Sequence, residues 1–143
     1  MTELTVGSVH TGSSRTITDA EIAFLPALMG AMNALFHDDV TASKGPLGRR
    51  VLYGPALIGI SVAGTEALLH HDVLGLIGMS DVRFRAGVGV GDTVTPTLRV
   101  TDRISRPEKA GDILFTHDEV HNQDRELVLE FSRTIMVRRP SDP

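Results

Sequence analysis

The stretch that decides the fold is residues 51–70, VLYGPALIGISVAGTEALLH. Pro55 suits the first position of a helix, because the N–H that proline lacks would have no intrahelical partner there. A helix over residues 55–69 would be about 22 Å long at roughly 1.5 Å per residue, and it is apolar on almost every side, which is typical of a helix inside a protein. We therefore expect a buried central helix wrapped by a β-sheet. Small residues at three- and four-residue spacing would let the sheet approach one face closely: Ala56, Gly59, Ala63 and Ala67.

Length and composition fit a single domain. The 143 residues, 41% of them hydrophobic, are enough for a sizeable core, and a net charge of −4 argues against a nucleic-acid partner, whose phosphates require a basic face. The lack of cysteine excludes disulfides, thiolate metal ligands and a cysteine nucleophile, and is compatible with a cytoplasmic location. The first ten residues lack the apolar core of a signal peptide, and the central helix is too short to cross a bilayer. We expect one cytoplasmic domain over residues 1–143 that binds no membrane, with a frayed tail over residues 138–143.

The patterns on either side of the central helix predict helices first and strands afterwards. Thr18 and Glu21 form a capping-box pattern, which predicts a helix start, and a short strand is expected before it over residues 4–9. After the central helix, alternating apolar and polar residues predict strands at about residues 81–90, 93–101, 113–121 and 127–137. This order is α+β and differs from the strand–helix alternation of a nucleotide-binding sheet.

Three segments carry a resemblance to a known family. Residues 79–94, MSDVRFRAGVGVGDTV, resemble the strand-and-turn motif of MaoC-like acyl dehydratases and (R)-specific enoyl-CoA hydratases. Residues 121–123, HNQ, followed by LVL at 127–129, resemble the turn and last strand of that family, and residues 24–54 match its active-site segment in length and layout. The resemblance implies a hot-dog fold, an antiparallel sheet around one long helix, usually paired as a dimer. It also implies an acyl thioester substrate, on coenzyme A or a carrier protein, and no cofactor.

The family's chemistry depends on residues that this chain only partly retains. In the family an Asp and a His of a D-x-N-P-x-H segment hold the water that adds to the double bond, and a Gly after a His at the helix start polarises the thioester carbonyl. Aligning Asn33 with the family Asn puts Ala31 and Phe36 at the Asp and His positions. Tyr53 stands before the helix glycine, which is retained as Gly54. The carbonyl-polarising group is therefore expected to be present and the proton-transfer pair absent.

A neighbouring histidine offers a replacement for the missing pair. His37 lies one residue beyond the expected His, and Asp38 and Asp39 follow it, so a one-residue shift of the loop could bring His37 to the water with one carboxylate as its partner. An imidazole with a pKa near 6.5 suits proton transfer at neutral pH. The alternative is that this stretch is a solvated turn. Tyr53 could donate a hydrogen bond to a substrate oxygen, or it could simply pack with its hydroxyl at the rim.

Several residues are candidates for contact with the substrate. Asn33, Phe36 and Phe84 fall in the two family segments. Basic side chains before the helix and on the strand after it could meet the phosphates of coenzyme A, or could simply be solvated: Lys44, Arg49, Arg50, Arg83 and Arg85.

The remaining histidines and Asp92 are interpreted as structural. His70 and His71 can satisfy the last carbonyls of the central helix. His117 and His121 share one face of a strand, a spacing that can hold zinc but more often does not, and there is no H-E-x-x-H pattern, so we predict no metal site. Asp92 follows Gly at a turn, where its carboxylate is expected to bond nearby backbone.

Two classes of function remain open from the sequence. The first is an enoyl-thioester hydratase or dehydratase in which Gly54 polarises the carbonyl and His37, with Asp38 or Asp39, moves the proton. The second is a non-catalytic hot-dog subunit that binds the acyl chain while a partner chain, in a homodimer or a heterodimer, carries the intact pair. A thioesterase or isomerase using the same pocket is a third possibility, because fold alone does not decide the chemistry.

Overall fold

The chain forms short elements first and long strands last. The structure, a computed structural model, describes residues 4–69 and 72–139. In chain order the elements are β1 (Val9–Thr11), β2 (Arg15–Thr16), α1 (Asp19–Leu28), α2 (Ala34–His37), α3 (Asp39–Ser43), α4 (Gly54–Leu69), β3 (Val73–Phe84), β4 (Thr93–Ile104), β5 (Gly111–His121) and β6 (Leu127–Arg138). The expected central helix is α4, and the helix predicted from the capping box is α1, where the Thr18 hydroxyl and the Glu21 carboxylate each accept a backbone N–H of the other residue.

The strands form one antiparallel sheet on which α4 lies. Their order is β1-β4-β5-β6-β3, and β2 also pairs with β4. The arrangement confirms the expected α+β fold class, with one long helix against an antiparallel sheet. Within residues 4–69 and 72–139, no helix is long and apolar enough to cross a membrane.

The face of α4 that meets the sheet is not the predicted small-residue face. Gly59, Ala63 and Ala67 are exposed. The buried positions form a different stripe that carries two hydroxyls: Ala56, Leu57, Ser61, Thr65 and Leu69. The helix approaches the sheet closely at Gly64, where a Cβ would lie 2.9 Å from Cγ of Pro96. The expectation was wrong because side-chain size does not set the rotation of the helix; Thr65 faces the sheet and bonds a buried arginine there.

The strand predicted over residues 81–90 begins and ends earlier, as β3. The glycine-rich segment after Phe84 leaves the ladder and lies against the stretch that precedes α4. A Cβ on Gly87 would lie 2.9 Å from Cγ1 of Val51, and a Cβ on Gly89 would overlap the guanidinium of Arg49. These glycines are therefore needed for close packing rather than for pairing in the sheet.

The chain ends differ from expectation. The first strand is β1, so the strand predicted over residues 4–9 is shifted towards the helices. The prediction that the chain frays from Arg138 onwards was wrong at its first residue, because Arg138 pairs with Gly111 in the sheet. Arg139 donates to the Asp112 carboxylate and to the Lys109 carbonyl. Residues 140–143, and the predicted roles of His70 and His71, lie outside the described residues.

Candidate active site

A cavity of about 320 Å³ opens at the N-terminus of α4. Its lining is almost wholly apolar side chains and glycine backbone, contributed by the α2 region, the start of α4 and the segment after β3: Phe36, Leu47, Val51, Leu52, Gly54, Leu57, Phe84, Arg85, Ala86, Gly87 and Val88. Four candidate residues from the sequence, Phe36, Gly54, Phe84 and Arg85, are brought together here. An apolar cleft with few polar groups is the usual form of a small-molecule site.

Gly54 presents backbone to this cavity. It is the first residue of α4, where the N–H groups have no partner within the helix and the positive end of the helix dipole lies. The ring of Phe84 covers the glycine so closely that a Cβ would lie 2.9 Å from its Cζ atom. Such an amide can donate to a carbonyl oxygen on which negative charge develops.

Phe36 and Tyr53 pack against each other beside the cavity. Their ring centroids are 5.2 Å apart with an interplanar angle of 72°, an edge-to-face contact. In the alignment with the family motifs, these two positions correspond to histidines. The pair therefore puts an aromatic contact where the family has imidazoles.

His37, Asp38 and Asp39 do not line the cavity; each has a contact elsewhere. Nε2 of the exposed His37 lies 2.8 Å from the carbonyl oxygen of Ala31, so this nitrogen donates and Nδ1 is left as the acceptor. Asp38 caps α3. Its bonds from the Thr41 hydroxyl and from backbone N–H groups hold its pKa below the usual range. The Asp39 carboxylate accepts from Nε of Arg50. The expected His–Asp contact is not formed.

Asn33 and Arg50 are also used in local structure. The Asn33 side chain accepts from the backbone N–H of Leu35 and so caps α2. Arg50 bonds both Asp39 and Asp19, and the hydrogen bond to Asp39 is the main cause of its raised pKa. Arg50 thereby ties α1 and α3 to the stretch before α4.

Arg49 is held by Asp92 and packs against Gly89, the residue that follows Val88 of the cavity lining. Its Nη2 donates to the Asp92 carboxylate at 2.9 Å, while half of its side chain stays exposed. Asp92 also accepts from the N–H of Gly89 and from Gln123, the glutamine of the β5–β6 turn. Burial acts to raise the pKa of Asp92, but these hydrogen bonds and the Arg49 charge outweigh it and leave the pKa below its usual value. Asp92 is thus a structural anchor, as expected.

Of the two arginines on the β3 side, Arg85 lines the cavity and is half exposed. Nη2 of Arg85 donates to Glu130, which alternates with buried residues of β6 and so lies on the outer face of the sheet. This hydrogen bond is the main cause of the lowered pKa of Glu130. Arg83 is exposed and bonds the carbonyl of Val82. Arg83 therefore lies on the surface, whereas Arg85 borders the cavity.

Sequence reasoning missed a buried polar network between α4 and the sheet. The guanidinium of Arg133 forms an ion pair with Asp118, and both side chains are 1% exposed. Arg133 also donates to the Thr65 hydroxyl, and the Thr116 hydroxyl donates to Asp118. The signal was available, because Arg133 and Asp118 fall at core positions of alternating strands.

His117 and His121 lie on the outer side of β5, with Glu119 between them. Their Nε2 atoms are 3.7 and 3.9 Å from the Glu119 carboxylate. Across residues 4–69 and 72–139, no group of three or more His, Cys, Asp or Glu side chains is arranged to hold a metal ion.

Comparison with known proteins relates this architecture to a family. The mesaconyl-CoA hydratase family matches residues 4–139. The chain is 30% identical over 132 residues to beta-methylmalyl-CoA dehydratase of Chloroflexus aurantiacus, a match that covers 92% of this chain and 37% of that protein. A solved MaoC domain protein dehydratase from the same organism superposes with a TM-score of 0.89 at 27% identity, over 97% of this chain and 40% of the other.

A third relative carries information about the fold alone. A Mycobacterium tuberculosis protein with a double hotdog fold superposes with a TM-score of 0.77 at 20% identity, over 92% of this chain and 39% of the other. The chain therefore spans less than half the length of these relatives. From the match over residues 4–139 and the sheet wrapped on one long helix, we conclude that the chain belongs to the MaoC-like mesaconyl-CoA hydratase family and has the hot-dog fold.

Proposed function

We propose that the chain binds the acyl group of a thioester, on coenzyme A or a carrier protein, in the cavity at Gly54 and takes part in its hydration or dehydration. The observation that carries the proposal is the combination of an apolar lining with the amide end of α4. The thioester carbonyl accepts a hydrogen bond from the Gly54 N–H, which stabilises the enolate-like charge of the transition state. The names of the family and of the Chloroflexus relative support a coenzyme A thioester as the ligand.

We propose further that a partner hot-dog unit supplies the proton-transfer groups. No carboxylate or imidazole is among the residues that line the cavity in the described part of the chain. His37, Asp38 and Asp39 are engaged with Ala31, the α3 backbone and Arg50. General acid–base catalysis needs a group within hydrogen-bond reach of the reacting atoms. This chain then acts as the acyl-binding half of a two-unit enzyme.

The edge strand β3 is the surface that we propose for this partner. Its outer edge has an open row of backbone N–H and C=O groups, and Leu74, Leu76 and Ile77 are exposed along it. The greater length of the relatives, one of which has a double hotdog fold, supports a second unit of the same fold. The partner is a second copy of this chain or another hot-dog chain.

The partner surface is tested by substitution on β3. Leu76→Lys places a charge on the exposed edge and is expected to convert the dimer to a monomer in light scattering coupled to size-exclusion chromatography. Val6→Lys, at an exposed position outside β3, is the matched control. A wild-type chain that is monomeric both alone and with co-expressed hot-dog chains would overturn the partner proposal.

Cell fractionation would test the cytoplasmic location, which stays a prediction.

A hydratase that works alone is the second candidate. The observation in its favour is that Nδ1 of His37 is left as a hydrogen-bond acceptor when Nε2 donates to Ala31. A movement of residues 31–37 would be needed to bring this nitrogen to the cavity.

Assays of mesaconyl-CoA and crotonyl-CoA hydration separate the candidates. We expect no turnover by the purified chain, turnover after co-purification with a catalytic hot-dog chain, and binding of the saturated analogue butanoyl-CoA by the chain itself. Turnover by the chain alone, lost in a folded His37→Ala variant, would establish the second candidate instead. Release of free coenzyme A would indicate a thioesterase.

Binding at Gly54 has its own matched pair of variants. Gly54→Ala puts a methyl group 2.9 Å from Cζ of Phe84 and crowds the approach to the amide. We expect weaker butanoyl-CoA binding than in the wild type. Gly59→Ala, in the same helix with nothing within 4 Å of the added carbon, is expected to bind as the wild type does. Equal binding by both variants would contradict the placement of the ligand.

Arg49 is the cation that we propose for a coenzyme A phosphate. It is oriented by Asp92, half exposed and packed against Gly89, one residue after Val88 of the cavity lining, whereas Arg50 is held between two carboxylates. Arg49→Gln is expected to weaken binding of butanoyl-CoA about tenfold, as expected for a hydrogen bond to a charged group. It should leave binding of butanoyl-pantetheine, which lacks the nucleotide phosphates, unchanged. Arg99→Gln, on exposed β4 surface, is the control.

A further inference from the structure

We propose that Phe84 restricts the site to short acyl groups, and that a β-bulge at Asp81 is what aims its ring at the cavity. The inference rests on the proposed function, since it concerns the acyl group bound at Gly54. It assigns the choice of acyl length, which the sequence does not reveal, to one side chain and one backbone feature.

The bulge is visible in the pairing of β3 with β6. Ser80 pairs with Ser132 and Arg83 pairs with Glu130, so three steps along β3 correspond to two steps along β6. Asp81, within the extra stretch, has a φ of 54°, in the left-handed region that few residues other than glycine adopt. One additional residue in a strand reverses the faces of every side chain that follows it.

The consequence falls on Arg83 and Phe84. Without the extra residue, Arg83 would lie opposite Leu129, a fully buried residue on the face that meets α4. With it, Arg83 joins Glu130 on the outer face and Phe84 pairs with Leu129. The bulge therefore exchanges a charged side chain for an aromatic one on the inner face. Bulges are enriched next to functional sites because they re-aim side chains in this way.

The ring that arrives there determines how much room the acyl group has. Three atoms of the Phe84 ring lie 2.9 to 3.4 Å from the position of a Cβ on Gly54, so the ring covers the glycine beside the proposed carbonyl site. The cavity of about 320 Å³ is at the small end of ligand pockets, which run from about 300 to 1,000 Å³. We expect a short acyl group to fit in this cavity, which Phe36 and Phe84 both line, and a longer chain to displace the ring of Phe84.

The ring is also placed so that its removal need not unfold the protein. Phe84 is 50% exposed, so its side chain is only partly packed, and Leu129, with which it pairs in the sheet, is fully buried. Substitution by a smaller side chain therefore opens the cavity outwards. Phe24 on α1 is the control position for this substitution. It is 61% exposed and does not line the cavity.

The test is the affinity for butanoyl-, hexanoyl- and octanoyl-CoA, measured by calorimetry on the full chain. We expect the wild type to bind octanoyl-CoA about tenfold more weakly than butanoyl-CoA, as a pocket that excludes extra methylene groups does. Phe84→Ala is expected to abolish this difference, Phe84→Leu to reduce it, and Phe24→Ala to leave it unchanged. Circular dichroism and thermal melting check that each variant is folded.

The bulge is tested separately at Asp81. Glycine adopts a positive φ without strain, so the Asp81→Gly variant is expected to keep the wild-type preference for butanoyl-CoA over octanoyl-CoA. Valine disfavours a positive φ, so the Asp81→Val variant is expected to lose this preference, as Phe84→Ala does.

Failure of this inference is distinguishable from failure of the proposed function. If the wild type binds none of the three thioesters, the proposed function is wrong and Phe84 has no acyl group to select. If all three bind and binding weakens in Gly54→Ala, while the ratio of affinities is the same in wild type and Phe84→Ala, only the role of Phe84 is overturned. Equal binding of butanoyl- and octanoyl-CoA by the wild type overturns it as well.

Discussion

Arg133 and Asp118 lie in the core between α4 and the sheet, and each side chain is 1% exposed. The Thr65 and Thr116 hydroxyls complete their hydrogen bonds, and among the described residues no buried side-chain nitrogen or oxygen lacks a partner. Because the network joins α4 to both β5 and β6, it selects the face of the helix that packs. A buried pair of this kind is costly to break, although a well-packed apolar replacement can be as stable.

Removing one member of the pair should therefore be far worse than removing both. Arg133→Met leaves Asp118 buried and unpaired, and we expect the free energy of unfolding to fall by about 3–5 kcal/mol. The double substitution Arg133→Met with Asp118→Leu is expected to recover most of this loss, and Arg83→Met, at an exposed arginine, to change little. Urea denaturation measures all three. A double variant as unstable as the single one would contradict this account.

At the scale of single elements, α4 has one packed face and one exposed face. Gly59 lies on the exposed face with nothing within 4 Å of an added Cβ, whereas a Cβ on Gly64 would lie 2.9 Å from Cγ of Pro96. The same substitution at these two positions thus reports separately on helix propensity and on packing against the sheet.

We expect the two alanine variants to shift stability in opposite directions. Gly59→Ala should raise the free energy of unfolding by about 0.5–1 kcal/mol, because alanine loses less conformational freedom than glycine in a helix. Gly64→Ala should lower it, because the helix must move away from β4. Thermal melting of the two variants tests the orientation of α4. Stabilisation by Gly64→Ala would contradict the packing of this face of the helix against the sheet.

At the scale of the whole molecule, several carboxylates tie separate elements together and have lowered pKa values. Burial raises the pKa of Asp92 and of Asp112, but hydrogen bonds from arginines and from backbone outweigh it. In Glu130 the hydrogen bond from Arg85 is the largest effect. All three link distant parts of the chain, so their ionisation is coupled to folding.

The sign of the resulting pH dependence follows from the lowered pKa values. A carboxylate with a depressed pKa in the folded state contributes stability above its unfolded pKa, and this contribution is lost as the pH falls through the folded pKa. We expect the urea midpoint to hold between pH 7 and about pH 5 and to fall below about pH 4. Asp92→Asn should lower the urea midpoint at pH 7 and make its further fall at acid pH smaller. Glu66→Gln, on the exposed face of α4, should have neither effect. A fall in the urea midpoint at acid pH that is as large in Asp92→Asn as in the wild type would contradict the coupling of Asp92 ionisation to folding.

Much of the fold was predictable because its signals are local. A capping box, a proline at a helix start and alternation along a strand are properties of neighbouring residues, so α1, α4, β5 and β6 were expected close to where they form. The strand predicted over residues 81–90 failed because alternation continues through the glycine-rich segment, although Gly87 and Gly89 are used there for close approach to Val51 and Arg49.

By itself, the sequence determined that helices precede the long strands, the α+β class and the retained glycine at the start of α4. Only the tertiary structure decided which face of α4 packs, that Arg49, Asp92 and Gln123 meet, and that His37 bonds Ala31 rather than Asp38 or Asp39. It also decided that Phe84 covers Gly54, after the register shift between Ser80 and Arg83 in β3. These features depend on atoms brought together from distant parts of the chain and on strand register, which the local pattern of one segment does not specify.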